Sequence, residues 1–218
     1  MTALVPNRFL FSLEYPLSYR EIPPAIDGDV SDWSDLERLP NFGQLDEEED
    51  FADVWTCWNE SGLFVACRVT EKRAALRCDP ASYWTGDNLR LCIDTRDARA
   101  NKRATRYCRQ FFFLPTGGGP AKNNPVAGVG QFQRAREEPQ PIPVDQIKIA
   151  SVVSRVGYSL EAYVPVSCLF GFDPVEHSRI GFYYILEDTD HGRQFLTIGD
   201  DLLWYADPST WATAVLVR

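Results

Sequence analysis

The sequence contains very little histidine and methionine, and this scarcity excludes several kinds of metal site. The two histidines are His177 and His191, and neither stands at ligand spacing to a cysteine, so a zinc site is not expected. Met1 is the only methionine, which argues against a haem iron with an axial methionine. The site chemistry is therefore expected to rest on other residue types.

The chain also lacks an excess of basic residues and any long apolar run. Its net charge is −9, whereas nucleic acids and anionic membrane surfaces are bound by basic patches. No stretch reaches the roughly 20 apolar residues of a membrane-spanning helix. Residues 1–10 carry no signal-peptide pattern, so a cytoplasmic location is expected. We predict no nucleic-acid and no membrane partner.

The cysteines do not form a disulfide or metal-binding pattern. None of them stands in a Cys-x-x-Cys pair, and several occupy apolar strand patterns, where a free cysteine acts as a small core residue. Without an export signal, all six are predicted to be reduced thiols. They are Cys57, Cys67, Cys78, Cys92, Cys108 and Cys168.

Strand signals dominate the chain, and the length suits one domain over residues 1–218. The fold class predicted is all-β, an antiparallel, jelly-roll-like β-sandwich of two packed sheets with one or two short helical turns, near 31–37 and 166–170. Residues 115–145 are rich in Gly, Pro and polar side chains and are interpreted as a long surface excursion. Strands are predicted at 52–58, 63–70, 88–94, 106–114, 146–155, 158–164, 179–187 and 211–217.

Two tryptophans stand where loops meet strands, a position suited to a flat ligand. Trp84 precedes the alternating strand 88–94, and Trp204 lies in a loop before the last strand. The apolar face of a pyranose stacks on an aromatic ring, while its hydroxyls need fixed polar partners. This pattern indicates sugar binding more than catalysis.

Six segments match a known pattern in its order: residues 25–33, 54–66, 84–94, 158–165, 180–188 and 204–208. With these segments the chain resembles the family 9 carbohydrate-binding modules and the wider superfamily of DOMON-like sandwich domains, from about residue 22 to the end. The resemblance implies a non-catalytic carbohydrate-binding domain in which Trp84 and Trp204 clamp a sugar. It also implies polar ligand contacts from the strand after the first tryptophan, namely from Arg90 and from Asp87 or Asn88.

Arg90 departs from the family pattern, which has a carboxylate at this position. A carboxylate accepts hydrogen bonds from hydroxyls, whereas a guanidinium only donates them. The ligand is therefore left open as an acidic or a neutral sugar. Two alternatives also stay open: either tryptophan could cap the sandwich core, and the domain could have lost its sugar slot and serve in protein interaction or scaffolding.

Acidic residues raise the question of calcium, which such modules often carry. For the run Asp46–Asp50 a solvated loop is favoured over a calcium site. For Asp188 a turn-stabilising role is favoured, with structural Ca²⁺ at Asp188 and Asp190 as the alternative. Asp87 and Asp94 could form a glycosidase acid and base, but nothing distinguishes them from ordinary strand-end carboxylates, so no enzyme activity is predicted.

Overall fold

The structure, a computed structural model, describes residues 11–47, 49–199 and 202–218. These residues form eleven strands, as the alternating and β-branched patterns predict for most of them. The strands are β1 (Glu14–Ser18), β2 (Ala52–Asn59), β3 (Gly62–Val69), β4 (Asn88–Asp94), β5 (Cys108–Gly118), β6 (Asn124–Gly130), β7 (Lys148–Val153), β8 (Tyr158–Pro165), β9 (Arg179–Asp188), β10 (Gly192–Phe195) and β11 (Ala212–Val217).

The strands build two sheets, and this confirms the predicted all-β sandwich. The larger sheet has the order β1-β11-β9-β4-β5-β6, with β10 paired to β9, and the smaller sheet has the order β2-β3-β8-β7. All pairs are antiparallel except β1 with β11, which run parallel. The antiparallel prediction therefore holds for every described pair but this one.

Strand β4 shows how the larger sheet presents two different faces. Leu89, Leu91 and Ile93 belong to the core, and their alternation with polar residues follows from the two-residue period of a strand. On the opposite face, Arg90 lies beside Phe112 of β5 and Asn88 lies beside Glu187 of β9. Every residue of β4 is buried, because loops cover this outer face as well. The candidate site lies between two of those loops.

The described residues contain seven short 3₁₀ turns and no α-helix. The predicted turns near 31–37 and 166–170 are observed as Val30–Asp32, Asp35–Glu37 and Val166–Cys168. None of the described helical segments has the length and hydropathy needed to cross a membrane. The other turns are Phe42–Asp46, Pro80–Ser82, Val144–Gln146 and Pro208–Thr210.

The segment 115–145, predicted as a surface excursion, partly joins the larger sheet. Strand β5 continues to Gly118, and β6 pairs with it along Asn124–Gly130. Sequence analysis did not predict β6, because its glycines are typical of a loop. The sheet requires one of these glycines, since a Cβ on Gly128 would lie 2.2 Å from the Phe112 Cζ atom. The excursion is therefore shorter than predicted.

The cysteines are free, as predicted. Five of them are buried, and burial raises the pKa of both Cys67 and Cys92 to about 12. Their thiols therefore stay protonated near neutral pH and serve as core side chains.

Candidate functional site

A cleft of about 570 Å³ opens on the outer face of the larger sheet, between the loop before β4 and the loop before β11. It brings together the two tryptophans and the arginine that the sequence singles out. Its lining contains one charged residue, Arg90, and no Asp or Glu among the described residues. We call it the Trp84 cleft; it is lined by Tyr83, Trp84, Arg90, Gln110, Val129, Gly130, Gln131, Gln133, Trp204 and Tyr205.

Trp84 presents a large apolar surface to solvent at the cleft. Its side chain is 51% exposed, whereas the five other tryptophans are at most 8% exposed. It stands edge-on against Tyr83, with the ring centroids 5.2 Å apart and the planes at 85°. Tyr83 in turn stacks on Phe112 at 4.2 Å. The Trp84 ring is thus supported from one side while much of its surface stays free.

Local sequence fixes the turn that carries Trp84. Asp79 caps the turn Pro80–Ser82 by accepting a hydrogen bond from the Ala81 amide, and the Thr85 amide donates to the Ser82 carbonyl. Gly86 then returns the chain to β4 with φ +80°, and a Cβ there would lie 2.1 Å from the Arg77 carbonyl oxygen. Only glycine fits both conditions.

Trp204 lines the same cleft but differs sharply from Trp84 in exposure. It is only 3% exposed, and its ring stacks on Tyr183 with centroids 5.1 Å apart and an interplanar angle of 24°. Trp211 holds the loop in place, because its Nε1 donates to the Trp204 carbonyl at 2.9 Å. The sequence predicts two exposed indoles that clamp a sugar, and only Trp84 is exposed. The burial of Trp204 fits the alternative prediction, in which an indole caps the sandwich core.

The Trp204 indole N–H has no hydrogen-bond acceptor among the described residues. Its Nε1 atom is buried. Few other buried side-chain polar atoms of the described residues lack a hydrogen-bond partner. Buried N–H groups are normally paired, because desolvating one without a bond costs about 1–3 kcal/mol. Trp204 is one of the residues that line the Trp84 cleft.

Arg90, predicted as a ligand contact, is one of the residues that line the cleft, and it is held by two neighbouring side chains. Its Nε donates to Asn88 Oδ1 at 3.0 Å and its Nη2 donates to Glu187 Oε2. Its guanidinium carbon lies 5.1 Å from the centroid of the Trp204 ring. Burial lowers the pKa of Arg90, while Glu187 opposes that shift, so the group keeps its charge at any ordinary pH.

The remaining polar wall consists of glutamines that sequence analysis did not identify. Gln110 lies on the outer face of β5, opposite Cys92; its Oε1 accepts from the Tyr83 hydroxyl at 3.2 Å and its Nε2 points to Cys92 Sγ. Strand alternation, which places Gln110 on the same sheet face as Arg90, was the one sequence signal that could have identified it. Gln131, Gln133 and Tyr205 also line the cleft from loops, where no periodic pattern exists.

Asp87 and Asn88, predicted as ligand contacts, are not among the residues that line the cleft. Both side chains are fully buried. Asp87 accepts hydrogen bonds from the Arg77 amide at 2.6 Å and from Thr189. Asn88 donates to the Gly86 carbonyl and accepts from Arg90. Strand alternation does not bring Asp87 to the Arg90 face, and Asn88 acts on the cleft only through Arg90.

The Asp87 and Asp94 side chains do not form an exposed pair of acids. Asp94 is 3% exposed, and its oxygens accept hydrogen bonds from the amides of Arg96 and Ala98 at 3.0 and 2.9 Å. The carboxylate thus closes its own turn at the end of β4. Neither acid lines the Trp84 cleft.

Lys72 occupies the middle of the acidic cluster in which calcium was considered. Its Nζ lies 2.8 Å from Asp87 Oδ1, 2.8 Å from Asp188 Oδ2 and 3.4 Å from Asp190 Oδ2. Asp188 Oδ1 also accepts from the amides of Asp190 and His191, which closes the β9–β10 turn. Within the described ranges, no group of three His, Cys, Asp or Glu side chains is arranged to hold a metal ion. Residues Asp188 and Asp190 therefore do not fit Ca²⁺, since the Lys72 ammonium already lies between their carboxylates.

Removal of divalent cations is accordingly expected to leave stability unchanged. The Lys72 ammonium, which belongs to the chain itself, already lies between the carboxylates that a divalent cation would bridge. Thermal unfolding followed by circular dichroism, with 5 mM EDTA or 5 mM CaCl₂, should give the same Tm within about 1 °C. A rise of several degrees with calcium would show that this cluster, or another, binds the ion.

The structure resembles carbohydrate-binding modules throughout its length. Two structures of a family 9 carbohydrate-binding module from Caldicellulosiruptor kristjanssonii match it, one in complex with cellotriose and one with glucose. They share 14% and 15% identity with this chain, at TM-scores of 0.61 and 0.64, and the matches cover 93–94% of this chain and 93–95% of the module. A Bacteroides uniformis structure, described as a candidate carbohydrate-binding protein, matches at 14% identity and a TM-score of 0.52, over 94% of this chain and 98% of that one.

These similarities lie in structure rather than in sequence. No protein-family model matches the sequence, and no curated protein is similar to it in sequence. The fold suggested by the six sequence segments is thereby confirmed: the chain has the fold of the family 9 carbohydrate-binding modules.

Proposed function

We propose that this chain, which has the fold of the family 9 carbohydrate-binding modules, is a non-catalytic module that binds a sugar in the Trp84 cleft. The observation that carries the proposal is the position of Trp84. A half-exposed indole stands at the rim of a cleft whose floor offers fixed polar groups. Sugars are recognised by this combination of a stacking surface and convergent hydrogen-bonding groups.

In this proposal the stacking role falls on Trp84, and Tyr205 forms an aromatic rim beside it. Tyr205 is 40% exposed and stands perpendicular to Trp204, at 5.7 Å between centroids. Trp204 contributes as the buried wall that supports Tyr205 and Arg90. The sugar hydroxyls would meet the glutamines at the floor, among them Gln110, whose position Tyr83 and Cys92 fix.

Replacing Trp84 with alanine is expected to weaken sugar binding by about 1–3 kcal/mol, or roughly 5- to 150-fold. The loss follows from removal of the stacking surface, and the fold should persist because the ring is half outside the protein. Isothermal titration calorimetry against a panel of neutral and acidic mono- and oligosaccharides measures the change.

Leu203→Ala is a suitable control, because Leu203 is equally exposed, at 51%, but does not line the cleft. Its affinity for the same sugar should match that of the unmodified chain. Sugar affinity that survives Trp84→Ala would place the site elsewhere.

One observation favours the second candidate function, a protein-interaction domain without a sugar slot. Trp204 is 3% exposed and stacked on Tyr183, so its ring does not form the second wall of an open slot. A folded protein that binds none of the sugars in the panel would favour this function, with the exposed Trp84 and Tyr205 as its contact surface.

A further inference from the structure

We propose that Tyr83 is the positioning residue of the Trp84 cleft: its ring holds the Trp84 indole, and its hydroxyl holds the Gln110 carboxamide. One side chain thereby fixes how the stacking surface and a polar group of the cleft lie relative to each other. The inference rests on the proposed function, because it states how the cleft is prepared for a sugar before one binds. It gives a role to a residue that sequence analysis did not identify.

The first support is a row of three aromatic rings with Tyr83 in the middle. Its ring stacks on Phe112, with centroids 4.2 Å apart and planes at 10°. The Trp84 indole stands edge-on to Tyr83, at 5.2 Å and 85°. Both arrangements are favourable for aromatic pairs. Phe112 is buried in β5, so Tyr83 connects the half-exposed indole to the sheet.

The second support is the hydroxyl group of the same side chain. It donates a hydrogen bond to Gln110 Oε1 at 3.2 Å, while Gln110 Nε2 lies 3.7 Å from Cys92 Sγ. A carboxamide that is held at both ends has little rotational freedom. Its remaining hydrogen-bonding positions therefore point in fixed directions.

The third support is the glycine content of the edge strand β6. The register pairs Phe112 with Gly128 and Gln110 with Gly130. A Cβ on Gly128 would lie 2.2 Å from Phe112 Cζ, and a Cβ on Gly130 would lie 2.1 Å from Gln110 Oε1 and 2.5 Å from the Tyr83 hydroxyl oxygen. Neither glycine has a positive φ, so space rather than backbone conformation requires them. Strand β6 thus leaves room for the contacts that Tyr83 makes.

These contacts have a consequence for binding. The Trp84 side chain is 51% exposed, and an exposed side chain without such support exchanges rotamers rapidly. A binding surface that is already rigid loses less conformational entropy when a ligand binds. We therefore expect the free protein to hold Trp84 and Gln110 in the arrangement that a sugar meets.

Nuclear magnetic resonance of the free protein tests the positioning role without any ligand. The ¹⁵N relaxation of the Trp84 indole N–H, a signal assigned by its loss in Trp84→Phe, should give an order parameter near the value of about 0.85 that marks a rigid site. Tyr83→Leu removes the ring, so this value should fall below about 0.6. Tyr83→Phe keeps the ring and removes the hydroxyl, so the Trp84 value should stay the same while the side-chain amide signals of Gln110 shift.

Gly130→Ala tests the hydroxyl contact from the opposite strand. The added methyl group would occupy the space of the Gln110 carboxamide and the Tyr83 hydroxyl, and at least one of them must move. The Gln110 side-chain amide signals should therefore shift in this variant, as they do in Tyr83→Phe.

Tyr163→Phe is the matched control, because Tyr163 makes the same two kinds of contact in the smaller sheet. Its ring stacks on Phe64 with centroids 4.7 Å apart, and its hydroxyl donates to the Ser61 carbonyl at 2.8 Å. This variant should leave the Trp84 order parameter and the Gln110 signals unchanged.

Calorimetry with glucose, galactose and glucuronate relates the positioning role to binding. For each of these sugars that binds the unmodified chain, Tyr83→Phe should weaken binding roughly 2- to 12-fold, the effect of one neutral hydrogen bond. Tyr83→Leu should weaken binding further, because the Trp84 ring also loses its support. Tyr163→Phe should leave the affinity unchanged.

The results separate the positioning role from the proposed function. An unchanged Trp84 order parameter in Tyr83→Leu, or unchanged Gln110 signals in Tyr83→Phe, would overturn the positioning role whether or not a sugar binds. The conservative variant Tyr83→Phe keeps the test decisive if Tyr83→Leu does not fold. Absence of sugar binding by the folded, unmodified protein would refute the proposed function, and the relaxation measurements would still decide whether Tyr83 holds the Trp84 ring.

Discussion

Replacing Lys72 with methionine is expected to lower the free energy of unfolding by about 3–5 kcal/mol, the cost typical of removing one partner from a buried ion pair. The Lys72 side chain is 3% exposed, and those of Asp87 and Asp188 are fully buried. Methionine fills a similar volume but leaves two carboxylates close together without a cation. Urea unfolding followed by fluorescence measures the effect.

The contribution of this ion pair should depend on pH in a defined way. Burial raises the pKa of Asp87, but its hydrogen bonds with Lys72 and backbone amides outweigh burial and hold the pKa below its usual value. Burial lowers the pKa of Lys72, but its bonds to Asp188 and Asp87 outweigh burial and raise the pKa. A lowered acid pKa stabilises the fold above pH 4, and a raised lysine pKa stabilises it below pH 10.

The stability difference between the unmodified chain and Lys72→Met should therefore be largest near neutral pH and shrink at more acidic pH, where the carboxylates that the substitution leaves unpaired take up protons. Lys102→Met, which removes an exposed lysine, should change stability by less than about 0.5 kcal/mol. Adding Asp188→Asn to Lys72→Met should restore part of the loss, because it removes one of the unpaired charges. If Lys72→Met were as stable as Lys102→Met, the ion cluster would not stabilise the fold.

Replacing Glu161 with alanine is the second change with a large expected effect, a loss of about 3–5 kcal/mol. The buried Glu161 carboxylate accepts hydrogen bonds from the Trp33 Nε1 atom at 2.7 Å and from the amides of Gly28 and Asp27 at 2.7 and 3.0 Å. Alanine leaves these donors without an acceptor inside the protein, and each such donor costs about 1–3 kcal/mol.

Glutamine at the same position separates the hydrogen bonds from side-chain volume. Glu161→Gln keeps one acceptor oxygen but turns an amide NH₂ toward the remaining donors, so we expect an intermediate loss of about 1.5–3 kcal/mol. Glu176→Gln, at an exposed position, is the control. Chemical denaturation of the three variants gives the order, and equal stability of Glu161→Gln and the unmodified chain would contradict the role assigned to the carboxylate.

The contacts of Lys72 and Glu161 join segments that are distant in sequence, and such contacts limit how much of the fold the sequence predicts. The segments 25–33 and 158–165 resemble separate parts of the family pattern, and Glu161 joins them in space through Trp33. Strand β4 was predicted with the observed bounds, because its alternation is regular and one face is fully apolar. Strand β6 was missed because Pro125, Gly128 and Gly130 are typical of a loop, and only the packing of Phe112 explains Gly128.

The candidate site was predictable in part for the same reasons. Trp84 and Arg90 belong to one turn and one strand, so local sequence places both at the cleft. The burial of Trp204 depends on Tyr183 of β9, which is distant in sequence. Lys72 follows β3 in an irregular segment without periodicity, so no local pattern could show that three distant carboxylates surround it.

The parallel pairing of β1 with β11 has a mechanical consequence. The register runs from Glu14 beside Thr213 to Ser18 beside Val217, so the first and last described strands lie side by side and point the same way. A pull on the start of β1 and the end of β11 drags the two strands past each other lengthwise. All the hydrogen bonds between the two strands then bear the load together instead of breaking one at a time. Tension applied along the chain therefore loads this strand pair in shear.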